Sequence, residues 1–293
     1  MVNERMNQIE GSTCVITGAN SGIGKAAASE MARHGARVVM VCRSRERGRQ
    51  ALVEVCQDSG SSSVDLMIAD LSVQQEVKDL AARIAAEYPQ VDVLVNNAGL
   101  FKGKRELTVD GLETTFAVNH MAYFILTLGL MDTLKASAPA RIINVASDSH
   151  KGNKLDFDDL QAEQKWSGFK AYGRSKLANI LFTGELARRL EGSGITANSL
   201  HPGVVDTGFW RPGNGAVMTG MGKVGSRFMR TPEDGAKTTL HLATSPDLDG
   251  VTGGYYANEK AARPSTAALD QEAAALLWTR SLELAGYESD PLG

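Results

Sequence analysis

Two residues of this chain have types and a spacing suited to moving a proton. Tyr172 and Lys176 lie four apart in the stretch Phe169-Lys170-Ala171-Tyr172-Gly173-Arg174-Ser175-Lys176-Leu177-Ala178-Asn179. On a helix that spacing puts both side chains on one face, a turn apart. A free phenol has a pKa of ~10, and a fixed ammonium beside it favours the phenolate. Bringing a tyrosine from ~10 to ~7 takes about 4 kcal/mol of differential stabilisation. One close lysine and a cationic cofactor ring can share that, so Lys176 is expected to lower the pKa of Tyr172. A tuned phenol can exchange a proton with an alcohol or carbonyl near neutral pH. The same spacing also fits an ordinary helix face, so the surrounding elements must decide.

The chain opens with a phosphate-binding arrangement. Thr13 to Thr17 is a short β-branched run. Gly18-Ala19-Asn20-Ser21-Gly22-Ile23-Gly24 follows, then a helical stretch from Lys25 to His34. Strand, glycine turn and helix form the start of a nucleotide-binding βαβ unit. Glycine allows close backbone approach to a pyrophosphate, and the helix start offers free N–H groups and a positive dipole end. A plain tight turn is the alternative.

The second strand, Ala36 to Val41, ends in Cys42-Arg43. An acidic residue there would bond a ribose 2′-hydroxyl and repel a 2′-phosphate. A guanidinium can instead fork onto a phosphate. NADP(H) is therefore expected over NAD(H). Alternatively, Arg43, Arg45, Arg47 and Arg49 are the solvated start of the next helix. A third strand, Ser63 to Ala69, precedes Asp70-Leu71, where Asp70 either meets an adenine amino group or caps a helix from Ser72. Helix is expected over Val73 to Tyr88 and buried strand over Val91 to Val95. After it, Asn96-Asn97-Ala98-Gly99 provides amides to brace the sheet and small residues that leave room for a cofactor.

Leu107 to Lys135 reads as one long helical region with Asn119 and His120 on an apolar face. A buried asparagine left without partners costs ~1–3 kcal/mol, so Asn119 bonds backbone or belongs to a site. His120 reads as a core histidine. The fifth strand, Ala140 to Ala146, ends in Ser147-Asp148-Ser149-His150. Serine and histidine there suggest a hydrolase, but the Gly-x-Ser-x-Gly elbow is missing. After a polar insert with Trp166 come the Tyr172 helix and a sixth strand, Gly194 to Leu200. Beyond His201-Pro202-Gly203, the glycine-rich segment 204–230 carries Phe209, Trp210, Met218 and Met221 and reads as a lid over an apolar substrate. Thr231 and Pro232 mark a helix start. A short strand, Val251 to Ala257, and a helical tail over 262–293 complete the chain.

Alternating strands and helices predict one α/β domain over 1–293, a doubly wound parallel sheet of Rossmann type with helices on both faces. With 293 residues, 43% hydrophobic, and a net charge of −3, the chain can bury a large core and offers no broad basic surface for nucleic acid. Cys14, Cys42 and Cys56 have no metal-ligand spacing and read as free thiols of a reducing compartment. The polar first ten residues lack a signal-peptide pattern and no run has membrane-spanning length. A cytoplasmic protein is expected, as a homodimer or homotetramer if the regions near Leu112–Lys135 and Tyr172–Leu190 form a face.

Together the motifs resemble the short-chain dehydrogenase/reductase family, nearly end to end. They are Thr17-Gly18-x3-Gly22-x-Gly24, Asn96-Asn97-Ala98-Gly99, Asn119, Ser147, Tyr172-x3-Lys176 and Pro202-Gly203. Val118 to Phe124, Ser175 to Phe182 and His201 to Val205 look like the retinol dehydrogenase-like branch. The resemblance implies hydride transfer between a nicotinamide cofactor and a small carbonyl or alcohol. It makes Tyr172 the general acid/base and Ser147 a hydrogen-bond partner of the substrate oxygen. Lys176 would hold the nicotinamide ribose, with Asn119 in a water-linked proton relay. Gly18, Ser21, Gly22, Ile23 and Gly24 would line the pyrophosphate, with Asp70 and Leu71 at adenine and Asn97 and Gly99 on the adenosine side. Val204 and Thr207 would contact the carboxamide and phosphates. Ser21 departs from members that carry a basic residue there, so the NADP(H) expectation rests on Arg43. A non-enzymatic NADP(H)-binding sensor or scaffold is the alternative on the same fold.

Overall fold

Successive side chains of a strand leave the backbone on opposite faces, and this chain buries both. The computed structural model describes residues 9–205 and 230–293. Strands β1 (Thr13–Thr17), β2 (Arg37–Cys42), β3 (Val64–Ile68), β4 (Val93–Asn96), β5 (Ala140–Val145), β6 (Ile195–His201), β7 (Tyr255–Ala257) and β8 (Lys260–Ala261) form one sheet in the order β3-β2-β1-β4-β5-β6-β7-β8. All pairings are parallel except β7 with β8. The order reverses direction between β1 and β4, which opens a crevice at their carboxyl ends.

Among the described residues, the helices of six or more residues are α1 (Gly22–Arg33), α2 (Arg45–Ser59), α3 (Gln74–Glu87), α4 (Ala122–Gly129), α5 (Met131–Ala136), α6 (Gly168–Arg189), α7 (Pro232–Thr244) and α8 (Gln271–Ala285). Val15, Val39, Leu94 and Ile142 face one side, against Leu80 of α3, Phe124 of α4, Leu177 of α6 and Trp278 of α8. Cys14, Ile16, Val38, Met40 and Val95 face the other, against Met31 of α1, Val55 of α2 and Leu242 of α7. The expected doubly wound α/β sheet, covered on both faces, is the observed fold. No helix among the described residues is long and apolar enough to cross a membrane.

The long helix expected from Leu107 begins later. Leu107 pairs antiparallel with Glu113, and the Thr108 hydroxyl accepts from the backbone N–H of Asp110 and of Leu112. Gly111 sits at φ +76°. Thr, Asp and Gly together offer the backbone a turn in place of a helix. Helix starts at Thr114, where the Glu113 carboxylate accepts from Phe116 N at 2.8 Å. A π-turn over Ala117–Met121 then carries Asn119.

The tail is tied down beside α6. Trp278 Nε1 donates to Asp290 Oδ2 at 2.7 Å, and the Arg189 guanidinium lies 4.4 Å from the Trp278 ring. Segment 206–229, which holds most of the expected lid, lies outside the described residues. Its flanks adjoin, because Arg230 N donates to Val204 O at 2.8 Å.

Candidate active site

The glycine turn is packed too closely for side chains. A Cβ on Gly24 would lie 2.5 Å from Asn97 Nδ2 and 2.6 Å from the Gly18 carbonyl oxygen. One on Gly18, which has φ +68°, would lie 2.9 Å from Ala98 Cα. Helix α1 starts at Gly22, three residues before the expected Lys25, so Gly22, Ile23 and Gly24 form its first turn. Their N–H groups lack intrahelical acceptors. Ser21 is the N-cap, and its side chain makes no capping bond. We expect Gly24→Ala to displace the turn, cost ~1–3 kcal/mol of stability and weaken nucleotide binding at least about tenfold. Urea melts and nucleotide titration check this.

A cavity of about 1230 Å³ extends from this turn along the carboxyl ends of the strands to Tyr172. At one end it meets Arg43, Asp70 and Leu71. Asp70 does not cap a helix from Ser72: α3 starts at Gln74 with Val73 as N-cap. Asp70 Oδ1 instead accepts from Ser72 N at 2.9 Å and Ser72 Oγ at 2.7 Å, closing a local turn. Asn97 and Gly99 also line the cavity. Asn97 serves the backbone as well, since its Nδ2 donates to Thr17 O at 2.8 Å.

At the other end, Tyr172, Lys176 and Ser147 converge on the cavity. Lys176 is buried and donates from Nζ to the Val145 carbonyl at 2.8 Å. That Nζ lies 5.8 Å from the centre of the Tyr172 ring and 5.6 Å from that of Tyr123. Gly99 adjoins both groups, since a Cβ there would sit in ordinary contact, 3.4 Å from both Lys176 Nζ and Asn119 Oδ1. Asn119 is fully buried and directs its amide to local partners. It accepts from Leu100 N at 2.8 Å and donates to Leu100 O at 3.0 Å and Ser175 Oγ at 2.9 Å.

The electrostatics correct one expectation. Burial pushes the Tyr172 phenol up to about 12, opposed by a hydrogen bond with Ser147. Burial brings Lys176 down to about 7. Without nucleotide, the cost of desolvating each charged form exceeds the help that either gives the other. Lys176 does not lower the phenol in this state.

The profile of the short chain dehydrogenase family matches residues 12–215. The chain belongs to this family. Retinol dehydrogenase 12 of Mus musculus is 42% identical over 281 residues, which cover 96% of this chain and 88% of the relative. Among solved structures, an uncharacterized protein from Mycobacterium Paratuberculosis has a TM-score of 0.77 and 31% identity, covering 96% of this chain and 97% of that one. A short chain dehydrogenase from Burkholderia cenocepacia J2315, crystallised in complex with NADP, has a TM-score of 0.67 and 26% identity, with coverage of 85% and 96%. This short-chain dehydrogenase is retinol dehydrogenase-like, an NAD(P)-dependent alcohol/aldehyde oxidoreductase.

In this short-chain dehydrogenase, Ser147 and His150 do not form a nucleophile and base. His150 Nδ1 lies 2.7 Å from the Ser147 carbonyl oxygen, and His150 Nε2 accepts from Ser265 N at 3.0 Å. Both ring nitrogens are occupied, and neither faces the Ser147 hydroxyl. His120 is the core residue expected from sequence: Nε2 meets Ser281 Oγ at 2.9 Å, and burial holds the ring neutral with a pKa of about 3.

Sequence reading missed the supports. Thr17 Oγ1 accepts from Asn97 N at 2.9 Å and Ala98 N at 3.0 Å, joining β1 to the turn after β4. Ser175 Oγ accepts from Asn119 and donates to Tyr172 O at 2.8 Å. Tyr123 donates to Ala98 O at 2.7 Å under the Lys176 ammonium. Each bond spans elements far apart in sequence except Ser175 to Tyr172, and a hydroxyl one residue from Lys176 was the only local signal. Val204 lines the cavity, whereas Thr207 lies outside the described residues.

Proposed function

We propose that the chain catalyses NADP(H)-dependent interconversion of an apolar aldehyde or ketone and its alcohol. The observation that carries this reading is the meeting of Ser147, Tyr172 and Lys176 at one end of a cavity whose other end is a glycine-packed helix start. The site fits a dinucleotide because the free N–H groups at the start of α1 line the cavity through Gly22, Ile23 and Gly24, and Arg43 lies on the cavity wall at the end of β2. Gly18, Ser21, Gly22, Ile23 and Gly24 would hold the pyrophosphate, Asp70, Leu71 and Asn97 the adenosine half, and Lys176 the nicotinamide ribose. When bound, the nicotinamide supplies or accepts the hydride.

Tyr172 then donates its phenolic proton to the carbonyl oxygen during reduction and recovers it from the alcohol during oxidation. Ser147 donates a hydrogen bond to the same oxygen and favours the developing negative charge. Asn119 is held by Leu100 and Ser175, and a Cβ built on Gly99 would lie 3.4 Å from both its Oδ1 and Lys176 Nζ, so the two side chains flank the same glycine. Water between Asn119 and Lys176 would complete the relay that reprotonates Tyr172. Phe101 and Phe169, with ring centroids 5.3 Å apart, form an aromatic wall of the cavity near Tyr172 and support an apolar substrate.

The test is NADPH oxidation against a panel of aliphatic and aromatic aldehydes and ketones, beside small polar ones. Turnover rising with apolar surface is expected. Nucleotide binding without turnover of any carbonyl or alcohol would favour a sensor instead.

A further inference from the structure

Arg43, Arg45, Arg47 and Arg49 alternate through the end of β2 and the first turns of α2. Only Arg43 and Arg47 line the cavity. Among the described residues, neither side chain has an ion-pair or hydrogen-bond partner. The turn that presents Arg47 is fixed, because its backbone N–H donates to the N-cap hydroxyl of Ser44 at 3.3 Å. Farther along the same wall the next cation is neutralised. Lys25 Nζ lies 2.6 Å from Glu54 Oε2, and Gln50 Nε2 donates to Glu54 Oε1 at 3.0 Å.

The wall thus carries two unpaired guanidiniums followed by a lysine already satisfied by a carboxylate. Two guanidiniums facing one cavity, with no carboxylate paired to either among the described residues, repel each other unless an anion lies between them. Their planar donor forks suit phosphate oxygens. Ser21 provides no charge at the glycine turn, and Lys25, one helical turn beyond it, is held by Glu54. A 2′-phosphate that needs more than Arg43 must find its second cation on α2.

We propose that Arg47 is a second ligand for the cofactor 2′-phosphate, acting with Arg43, and sets the preference for NADP(H) over NAD(H). This rests on the NADP(H) reading above. Arg45 and Arg49 have the same charge on the same segment without lining the cavity, and so separate a contact from a general field.

The experiment is titration of the full-length chain with NADPH and with NADH, followed by protein fluorescence and calorimetry, without carbonyl substrate. Arg47→Ala is expected to weaken NADPH about 10- to 100-fold, as for loss of a charged hydrogen bond, and to leave NADH within about twofold. Arg45→Ala and Arg49→Ala should leave the NADPH to NADH ratio unchanged. Arg47→Lys should recover part of the loss, because charge remains and the fork does not. The proposal is overturned if Arg47→Ala costs NADPH no more than the two control variants do. In that case a large loss in Arg43→Ala would leave the NADP(H) reading standing. Equal binding of NADPH and NADH by the unaltered chain would remove both.

Discussion

Tyr172→Phe is expected to lower carbonyl reduction about a thousandfold, within the ~10²–10⁴ typical of a lost general acid, while NADPH binds about as before. The phenol is held near 12 by burial, against the Ser147 hydrogen bond. It is therefore protonated throughout the neutral range and ready to donate. Phenylalanine keeps the ring and its edge contact with Phe101, whose centroid is 6.3 Å away. The variant loses the proton and little of the packing, and Ser147 can still bond the carbonyl oxygen. Single-turnover NADPH oxidation, together with NADPH titration, separates the step from binding. A variant that reduces the best carbonyl within fivefold of the unaltered chain would refute Tyr172 as the acid.

The parts of the fold legible in the sequence were those governed by local chemistry. Strand β1 falls on Thr13–Thr17 as expected, and Thr231 caps α7 with Pro232 in its first turn, because β-branched runs and capping residues act over a few positions. The segment at Leu107 misled because its apolar residues continue a helical pattern, whereas Thr108 and Gly111 favour a turn. The cavity-lining glycines of the first turn were legible through their spacing. Their need for glycine was not, because the clash at Gly24 comes from Asn97, a residue on another strand's turn. Thr17 and the Val145 carbonyl were invisible for the same reason: each acts through a bond that exists only once distant strands and helices meet.

The Tyr172–Lys176 pair teaches a different lesson. Spacing identified the residues but gave the wrong sign for the phenol without nucleotide, since sequence shows proximity and not burial. Lys176 Nζ lies 5.8 Å from the ring, and among the described residues no carboxylate pairs with it and only the Val145 carbonyl accepts from it. Both groups therefore favour their neutral forms. In the proposed reaction, the shift toward phenolate during alcohol oxidation requires positive charge from the bound oxidised cofactor as well as Lys176.

Lys176→Met is accordingly expected to trade activity for stability. Turnover should fall about a thousandfold, because the proposed ribose contact and relay would both be lost. Folding should become more favourable, and the gain should depend on pH. Lys176 titrates at 10.5 in the unfolded chain and about 7 in the folded one. Above pH 10.5 it is neutral in both states and costs nothing. As pH falls from 10.5 to 7, the unfolded chain takes up a proton that the folded chain disfavours. Stability is then lost at about 1.4 kcal/mol per pH unit. Below pH 7 both states hold the proton and the cost stays at its maximum. Methionine removes the titration and fills most of the space, and Asn179 Nδ2 still donates to the Val145 carbonyl at 3.3 Å. In urea melts without nucleotide, the variant should exceed the unaltered chain by about 4 kcal/mol near pH 7.5, with the gap narrowing to under about 1 kcal/mol by pH 10. A gap that is equal at both pH values would show that Lys176 is not held neutral by burial. A fold destabilised at both would show that its bond to Val145 outweighs the cost of enclosing an amine.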